Sequence, residues 1–374
     1  MKYCKTCILP DTRPGIFLDE DGICSGCNGY YDKTKAIDWH DRALKFEQLI
    51  SWAKKQSTTY DCIIPVSGGK DSWYQVIKAK EANLKVLCVT WKTPGRTDIG
   101  QKNLDALVAK LNVDHIDFTI NPEVEKKFMI ASFERKGATG IPMHMAIFSI
   151  PIRLANQFKI PLVIWGENPQ LEYGGNKKER LANNLDLEWI SRHGVTNSTS
   201  LKDWIGQQGL TSSELEAYRL PTKEQLDLFN PRSIFLGSYF KWNSWDNAEL
   251  AKQHGFESNP THLKTGLWHF ADVDCNFISI HHYLKWFKFG ITRSFDNLSL
   301  EIRQGFINRN TAIKKLTELG LQQPYEDIKK FCEFTGKTQK WFWDVAESHR
   351  NKEVWKLVDG TWKIPDFLIE DWEW

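Results

Sequence analysis

The stretch Ser67-Gly68-Gly69-Lys70-Asp71-Ser72 has the residue types to hold a chain of phosphates. Adjacent glycines let a backbone come close to an anion with no Cβ in the way. Lys70 brings a mobile positive charge, Ser67 and Ser72 bring hydroxyls, and Asp71 is the best placed carboxylate for Mg2+. The apolar run 61–66 before the stretch predicts a strand, and 71–82 after it predicts a helix. A helix start adds unpaired N–H groups and the positive end of its dipole, so strand, loop and helix together make a phosphate cradle. The spacing differs from the G-x-x-x-x-G-K-[ST] loop. The plain alternative is a glycine-rich turn without a ligand.

A second polar stretch, Gly166-Glu-Asn-Pro-Gln-Leu-Glu-Tyr-Gly-Gly175, follows another strand-like run, 161–165. Glu167 and Glu172 have the chemistry to hold Mg2+ or sugar hydroxyls. Asn168 and Gln170 can fix an amide or a nucleotide, and Tyr173 adds a phenol at the same sheet edge. His144 opens an apolar helical run and either faces the site or packs. His281, Lys285 and Lys288 share one helix face at i, i+4 and i+7. That face suits a diphosphate, although a solvated stripe is the simpler expectation. Arg293 is a candidate anion clamp.

The pattern Cys4-x-x-Cys7 and Cys24-x-x-Cys27 is that of a four-thiolate zinc ribbon, with a tight turn at Asp21-Gly22. Such a closed site stabilises structure and leaves no open position for catalysis. Cys62 and Cys88 lie in strand-like runs and are expected to be buried, inert thiols; Cys275 and Cys332 fall in helical stretches.

The elements that must position these groups alternate. Strands are expected at 61–66, 85–91, 115–120 and 161–165. Helices are expected at 71–82, 100–111, 122–133 and 143–158. This is the signature of a parallel sheet with helices on both faces. Ligands then bind outside the carboxyl ends of the strands, at the loops 67–72, 91–99 and 166–175. Four regions are expected: a ribbon over 1–30, one helical arm over 31–59, an α/β domain over 60–244 and a mainly helical region over 245–374. Within the α/β domain an insertion or lid falls at about 176–230, and 233–240 is a further strand. The chain has 374 residues, 26% of them charged, with a net charge of +2, which gives no hint of a polyanionic partner. It lacks the run of about 18 apolar residues that a membrane span needs. The start, Met1-Lys-Tyr-Cys-Lys, has no apolar signal core, so a cytoplasmic location is expected. Most of its seventeen tryptophans lie in the second half.

The loop Ser67–Ser72 is similar to the S-G-G-x-D-S loop of the ATP pyrophosphatases, which hold the pyrophosphate half of ATP while AMP is transferred to a substrate oxygen. Four features together resemble the N-acetyl sugar amidotransferases of bacterial surface-glycan pathways, over almost the whole length. They are the cysteine ribbon with Phe17-Leu-Asp-Glu-Asp-Gly22 between its pairs, Ser67-Gly-Gly-Lys-Asp-Ser72, Gly100-Gln-Lys-Asn-Leu104 and Trp165-Gly-Glu-Asn168. The resemblance implies an adenine nucleotide alpha hydrolase-like domain of the PP-loop ATP pyrophosphatase type, with ATP, Mg2+ and structural Zn2+. It implies conversion of an acetamido group on a nucleotide-linked N-acetyl sugar into an acetamidino group, as in O-antigen and other lipopolysaccharide biosynthesis. Lys70, Asp71 and Glu167 would be catalytic. His144, Asn168, Gln170, Glu172, Tyr173, Lys285 and Arg293 would be substrate-binding candidates. A glutaminase nucleophile is not expected within the chain, so a separate glutaminase and a cyclase-like, ammonia-conducting protein are the implied partners. No membrane and no nucleic acid are expected. The strongest rival is a tRNA-thiolating or tRNA-amidating ATP pyrophosphatase, which would call for a basic groove. A non-enzymatic ATP-binding module and an enzyme joining ammonia to a carboxylate are weaker alternatives.

Overall fold

The computed structural model describes residues 1–175, 178, 185–193, 196, 198–260 and 265–374. Helices α1 (Ser25–Lys35) and α2 (Trp39–Gln56) lead into β1 (Cys62–Pro65), α3 (Lys70–Glu81), β2 (Val86–Trp91), α4 (Asp98–Leu111) and β3 (Asp114–Phe118). Then come α5 (Pro122–Lys136), α6 (Ile141–Gln157), β4 (Leu162–Trp165), α7 (Pro169–Tyr173), α8 (Leu187–His193), α9 (Lys223–Leu228), β5 (Arg232–Phe235) and α10 (Ser244–His254). The C-terminal region holds α11 (Asn276–Phe289), α12 (Arg293–Arg303), α13 (Arg309–Leu319), α14 (Tyr325–Thr335) and α15 (Gln339–Ser348). It ends in a small hairpin of β6 (Lys356–Val358) and β7 (Thr361–Lys363).

The first five strands form one parallel sheet in the order β3-β2-β1-β4-β5. Alternate side chains go to opposite faces, as strand geometry dictates. Cys62, Ile64, Val86, Cys88, Leu162 and Ile164 pack against α2, α3, α4 and α10. Ile63, Leu87, Val89, Val163 and Phe235 pack against α5, α6 and the 185–220 segment. This is the parallel sheet with helices on both faces that the alternating strands and helices predicted. Its order reverses between β1 and β4, and the cradle after β1 sits at that switch point, where such sheets bind ligands.

Three expectations change in detail. The stretch 31–59 is two helices, because Asp38 caps a new one by accepting hydrogen bonds from the N–H groups of His40 and Asp41. The strand expected over 233–240 stops at Phe235 and turns into a single 3-10 turn, Leu236–Ser238. Of the insertion at about 176–230, residues 176–177, 179–184, 194–195 and 197 lie outside the described residues. Part of the remainder is core: Trp204 and Tyr218 are buried against Phe128 of α5, with ring centroids 5.2 and 5.0 Å away. Among the described residues, no helix is long and apolar enough to cross a membrane.

The ribbon is part of the C-terminal core. Ile8, Leu9 and Ile16 cluster with Trp286, Phe295, Leu298 and Trp355. Of the two cradle glycines, only Gly68 is sterically obligatory. It has φ +90°, and a Cβ built on it lies 2.7 Å from the carbonyl oxygen of Gly100. At Gly69 the nearest atom to a built Cβ is the Ser67 hydroxyl at 3.4 Å, and φ is an ordinary −69°. Gly68→Ala should therefore cost about 1–3 kcal/mol of stability, whereas Gly69→Ala should stay within about 0.5 kcal/mol, both read from urea unfolding. Equal losses would contradict this account of the loop.

Candidate active site

The cradle is built as its residue types require. The Ser67 N–H donates to Ser72 Oγ at 2.9 Å, and the two serine hydroxyls are 3.5 Å apart. This closes the loop over the first turn of α3, whose N–H groups have no partner within the helix. Lys70 is 6% exposed; its Nζ donates to Asp71 Oδ2 at 2.5 Å and lies 5.8 Å from the Phe270 ring centroid. Asn247 Nδ2 holds the other oxygen of Asp71 at 3.4 Å.

Two cavities open from the cradle. The larger, about 360 Å³, runs between the carboxyl ends of β1, β2 and β4, and its walls are mostly apolar. The smaller, about 200 Å³, is polar and carries Lys70 and Arg293 as its cations. Ser67, Asp71, Ser72, Glu167 and Asp274 line both. Glu167 is pushed up to about 7, first by burial and then by the neighbouring Asp71. Burial alone would raise Asp272 too. Instead Arg293, 3.3 Å away, and His282, 3.5 Å away, hold its carboxyl well below the usual range. Burial raises Asp274, with the Ser67 hydroxyl opposing. The carboxylates of Asp71, Glu167 and Asp274 are hard oxygen donors of the kind Mg2+ takes.

The structure gathers Ser67, Gly69, Lys70, Asp71, Ser72, Glu167, Tyr173 and Arg293 around these cavities, while Gly68 packs against Gly100 and Leu104. The other sequence candidates have different partners. Asn168 is 1% exposed and caps α7, accepting from the N–H groups of Gln170 and Leu171. Gln170 folds back onto Gly175, where a built Cβ would fall 2.1 Å from its Oε1. Glu172 is tied to Lys33 of α1, with both its oxygens 2.7 Å from Nζ. His144 Nδ1 donates to the Gly140 carbonyl at 2.7 Å, which fixes its tautomer, and burial lowers its pKa to about 4. Its ring lies 5.7 Å from that of His281. The face of His281, Lys285 and Lys288 is half-buried, so the solvated stripe is corrected. Lys285 is 3.7 Å from Asp296; burial lowers its pKa to about 8, against the pull of that carboxylate.

Among the cavity-lining residues that escaped the sequence reading are Gln75, Asp272 and Asp274. The signal for the aspartates was their alternate spacing just before a helix. That for Gln75 was its place one turn beyond Ser72.

The four ribbon cysteines fit zinc. Their sulfurs all lie within 4.8 Å of one another, with Cys4 to Cys27 at 4.0 Å and Cys7 to Cys24 at 3.6 Å. A tetrahedral ion with Zn–S of about 2.3 Å needs sulfur separations of about 3.8 Å. Arg303 Nη2 lies 3.7 Å from Cys24 Sγ and 4.0 Å from Cys7 Sγ, while its Nη1 donates to the Glu172 carbonyl at 3.2 Å. The Lys33 ammonium also donates to the Trp242 carbonyl at 2.5 Å. Ribbon, α1 and the 166–175 loop are thus one electrostatic unit.

Residues 265–368 match the family of the C-terminal domain of WbpG-like LPS biosynthesis proteins. That match agrees with the surface-glycan resemblance read from the sequence. Among solved structures, the chain is similar to NMN synthetase from Francisella tularensis, at 16% identity over 51% of this chain and 91% of that one, with a TM-score of 0.28. It is also similar to the NH3-dependent NAD synthetase of Campylobacter jejuni, at 18% identity over 51% and 92% of the two chains, again with a TM-score of 0.28. No curated protein sequence matches.

Lys33 is 1% exposed. Lys33→Met would leave the Glu172 carboxylate buried without its cation, and should cost roughly 3–5 kcal/mol in urea unfolding. The double variant Lys33→Met with Glu172→Leu should recover most of that. A double variant as unstable as the single one would contradict the electrostatic role.

Proposed function

We propose that the chain is an ATP-dependent amidotransferase. In this reading it adenylylates the oxygen of an acetamido group on a nucleotide-linked N-acetyl sugar and exchanges it for ammonia, leaving an acetamidino group. One observation carries the reading: the Ser67–Ser72 cradle lies at the junction of a polar cavity and a largely apolar one. The WbpG-like domain over 265–368 supports the glycan setting.

The polar chamber suits pyrophosphate. Lys70, Arg293 and the first turn of α3 present positive charge there, and charge that builds on a leaving pyrophosphate is stabilised most in such a water-poor site. When bound with ATP, Mg2+ would neutralise phosphate charge, and Asp71 and Asp274 are the residues that would hold it. The apolar chamber suits the nucleoside and the acyl group, and keeps water from the activated imidate. Ammonia then attacks the imidate carbon, and AMP leaves with the former amide oxygen. Glu167, a buried carboxyl near neutrality, is the group placed to take the surplus proton from the attacking nitrogen. A separate glutaminase and a cyclase-like protein would supply the ammonia. The cytoplasm, which keeps thiolates reduced, is the compartment this reading requires.

The test is pyrophosphate release from ATP and an ammonium salt, with a panel of UDP- and CMP-linked sugars bearing one or two acetamido groups. Sugar-dependent release is expected, with a product about one mass unit lighter as NH replaces O, and Lys70→Ala should lower the rate at least about 100-fold. Release on adding tRNA, and with no sugar, would overturn the proposal.

A further inference from the structure

One wall of the larger cavity carries a polar side chain that has no part in the cradle. Gln75 lies on α3, three residues after Ser72 and four after Asp71, so it shares their helix face about one 5.4 Å turn further along. It is 5% exposed. Its Nε2 donates to the Ile164 carbonyl of β4 at 3.1 Å. A carbonyl can only accept, so this bond fixes the amide with Nε2 toward the sheet and Oε1 turned away. Oε1 accepts no hydrogen bond among the described residues. It lies beside Gly166, where a built Cβ would be 3.3 Å from it. An acceptor held in one orientation on a 5% exposed side chain at a cavity wall is placed to take a donor from the ligand.

The surroundings define that ligand. Phe148, Trp165 and Trp189 line the same cavity, with the Phe148 ring 5.2 Å from Trp165 and 6.0 Å from Trp189. The site therefore offers an apolar wall and one fixed acceptor. A secondary amide with a short alkyl group matches that set. A carboxylate does not, since it has no hydrogen for Oε1.

We infer that Gln75 accepts the N–H of the acetamido group that reacts, an inference that rests on the function proposed above. The chemistry gives this bond its weight. When the amide oxygen attacks the α-phosphorus, an O–P bond forms and the bond from that phosphorus to the bridging oxygen breaks. Pyrophosphate leaves with the electron pair. The amide nitrogen then shares its lone pair with the carbon, and positive charge appears on the N–H, which keeps its proton. An acceptor on that hydrogen binds the transition state more tightly than the ground state, so the bond acts on kcat.

The experiment uses whichever panel sugar gives the fastest pyrophosphate release. Gln75→Met, nearly isosteric and without the amide oxygen, should lower kcat roughly 10- to 100-fold while leaving KM for ATP within about 2-fold. Wild type should discriminate against the N-methylacetamido analogue, which has no N–H, and Gln75→Met should lose most of that discrimination. A variant with unchanged kcat, a raised KM for ATP, or the wild-type discrimination ratio would overturn the inference and leave the proposed function standing. If circular dichroism shows the variant unfolded, wild type decides: equal turnover of the amide and its N-methyl analogue overturns the inference. Wild type without sugar-dependent release would overturn the proposed function and this inference with it.

Discussion

The close approach of three backbones at Gly68, Gly100 and Asp274 is the constraint on which the site depends. A Cβ on Gly68 would meet the Gly100 carbonyl at 2.7 Å, and a Cβ on Gly100 would meet the Asp274 Cα at 2.6 Å. No side chain fits in either gap. Around this stack the segments are tied together. Thr97 Oγ1 donates to the Val273 carbonyl at 2.5 Å, and the Asn276 N–H donates to the Gly95 carbonyl at 2.7 Å. The cradle is therefore shaped jointly by the loop after β1, the start of α4 and the segment that enters α11. That is how Asp272, Asp274 and Arg293, far along the chain, come to line a cavity at the sheet edge.

A second consequence concerns the ribbon. A small metal site on an outer surface would stabilise only itself. Here Arg303 touches two of the thiols and the Glu172 carbonyl, while Lys33 clamps the Glu172 carboxylate. Opposed groups meet across the junction: a guanidinium faces the buried cysteine sulfurs, and an ammonium faces a buried carboxylate. Such pairs are costly to break from one side. The cysteine cluster therefore bears on the orientation of the 166–175 loop, and among the described residues the cysteine that lines the two cavities is Cys275.

Much of this was legible in the sequence, for local reasons. The strand, glycine pair and helix around Ser67–Ser72 are contiguous, and so is each half of the cysteine pattern. The alternation of strands and helices gave the parallel sheet, because its buried strands are short apolar runs. What could not be read was which polar residue faces inward. Asn168 and Glu172 had the right chemistry, but their partners are a helix cap and Lys33, and the latter depends on tertiary packing of α1 against α7. Asp272, Asp274 and Gln75 looked like ordinary polar residues until the segment entering α11 was brought against the start of α4, and Gln75 against Ile164 of β4. The break between α1 and α2 was visible only in Asp38, a capping residue inside an otherwise helical stretch.

The central claim is that the amide oxygen itself is adenylylated. Labelling the acetamido oxygen of the nucleotide-linked sugar with oxygen-18 tests it most directly, with the AMP product read by mass spectrometry. Transfer through an O-adenylyl imidate predicts one labelled oxygen in each AMP formed. Unlabelled AMP alongside amidine product, with the label appearing in water or in inorganic phosphate, would contradict the account.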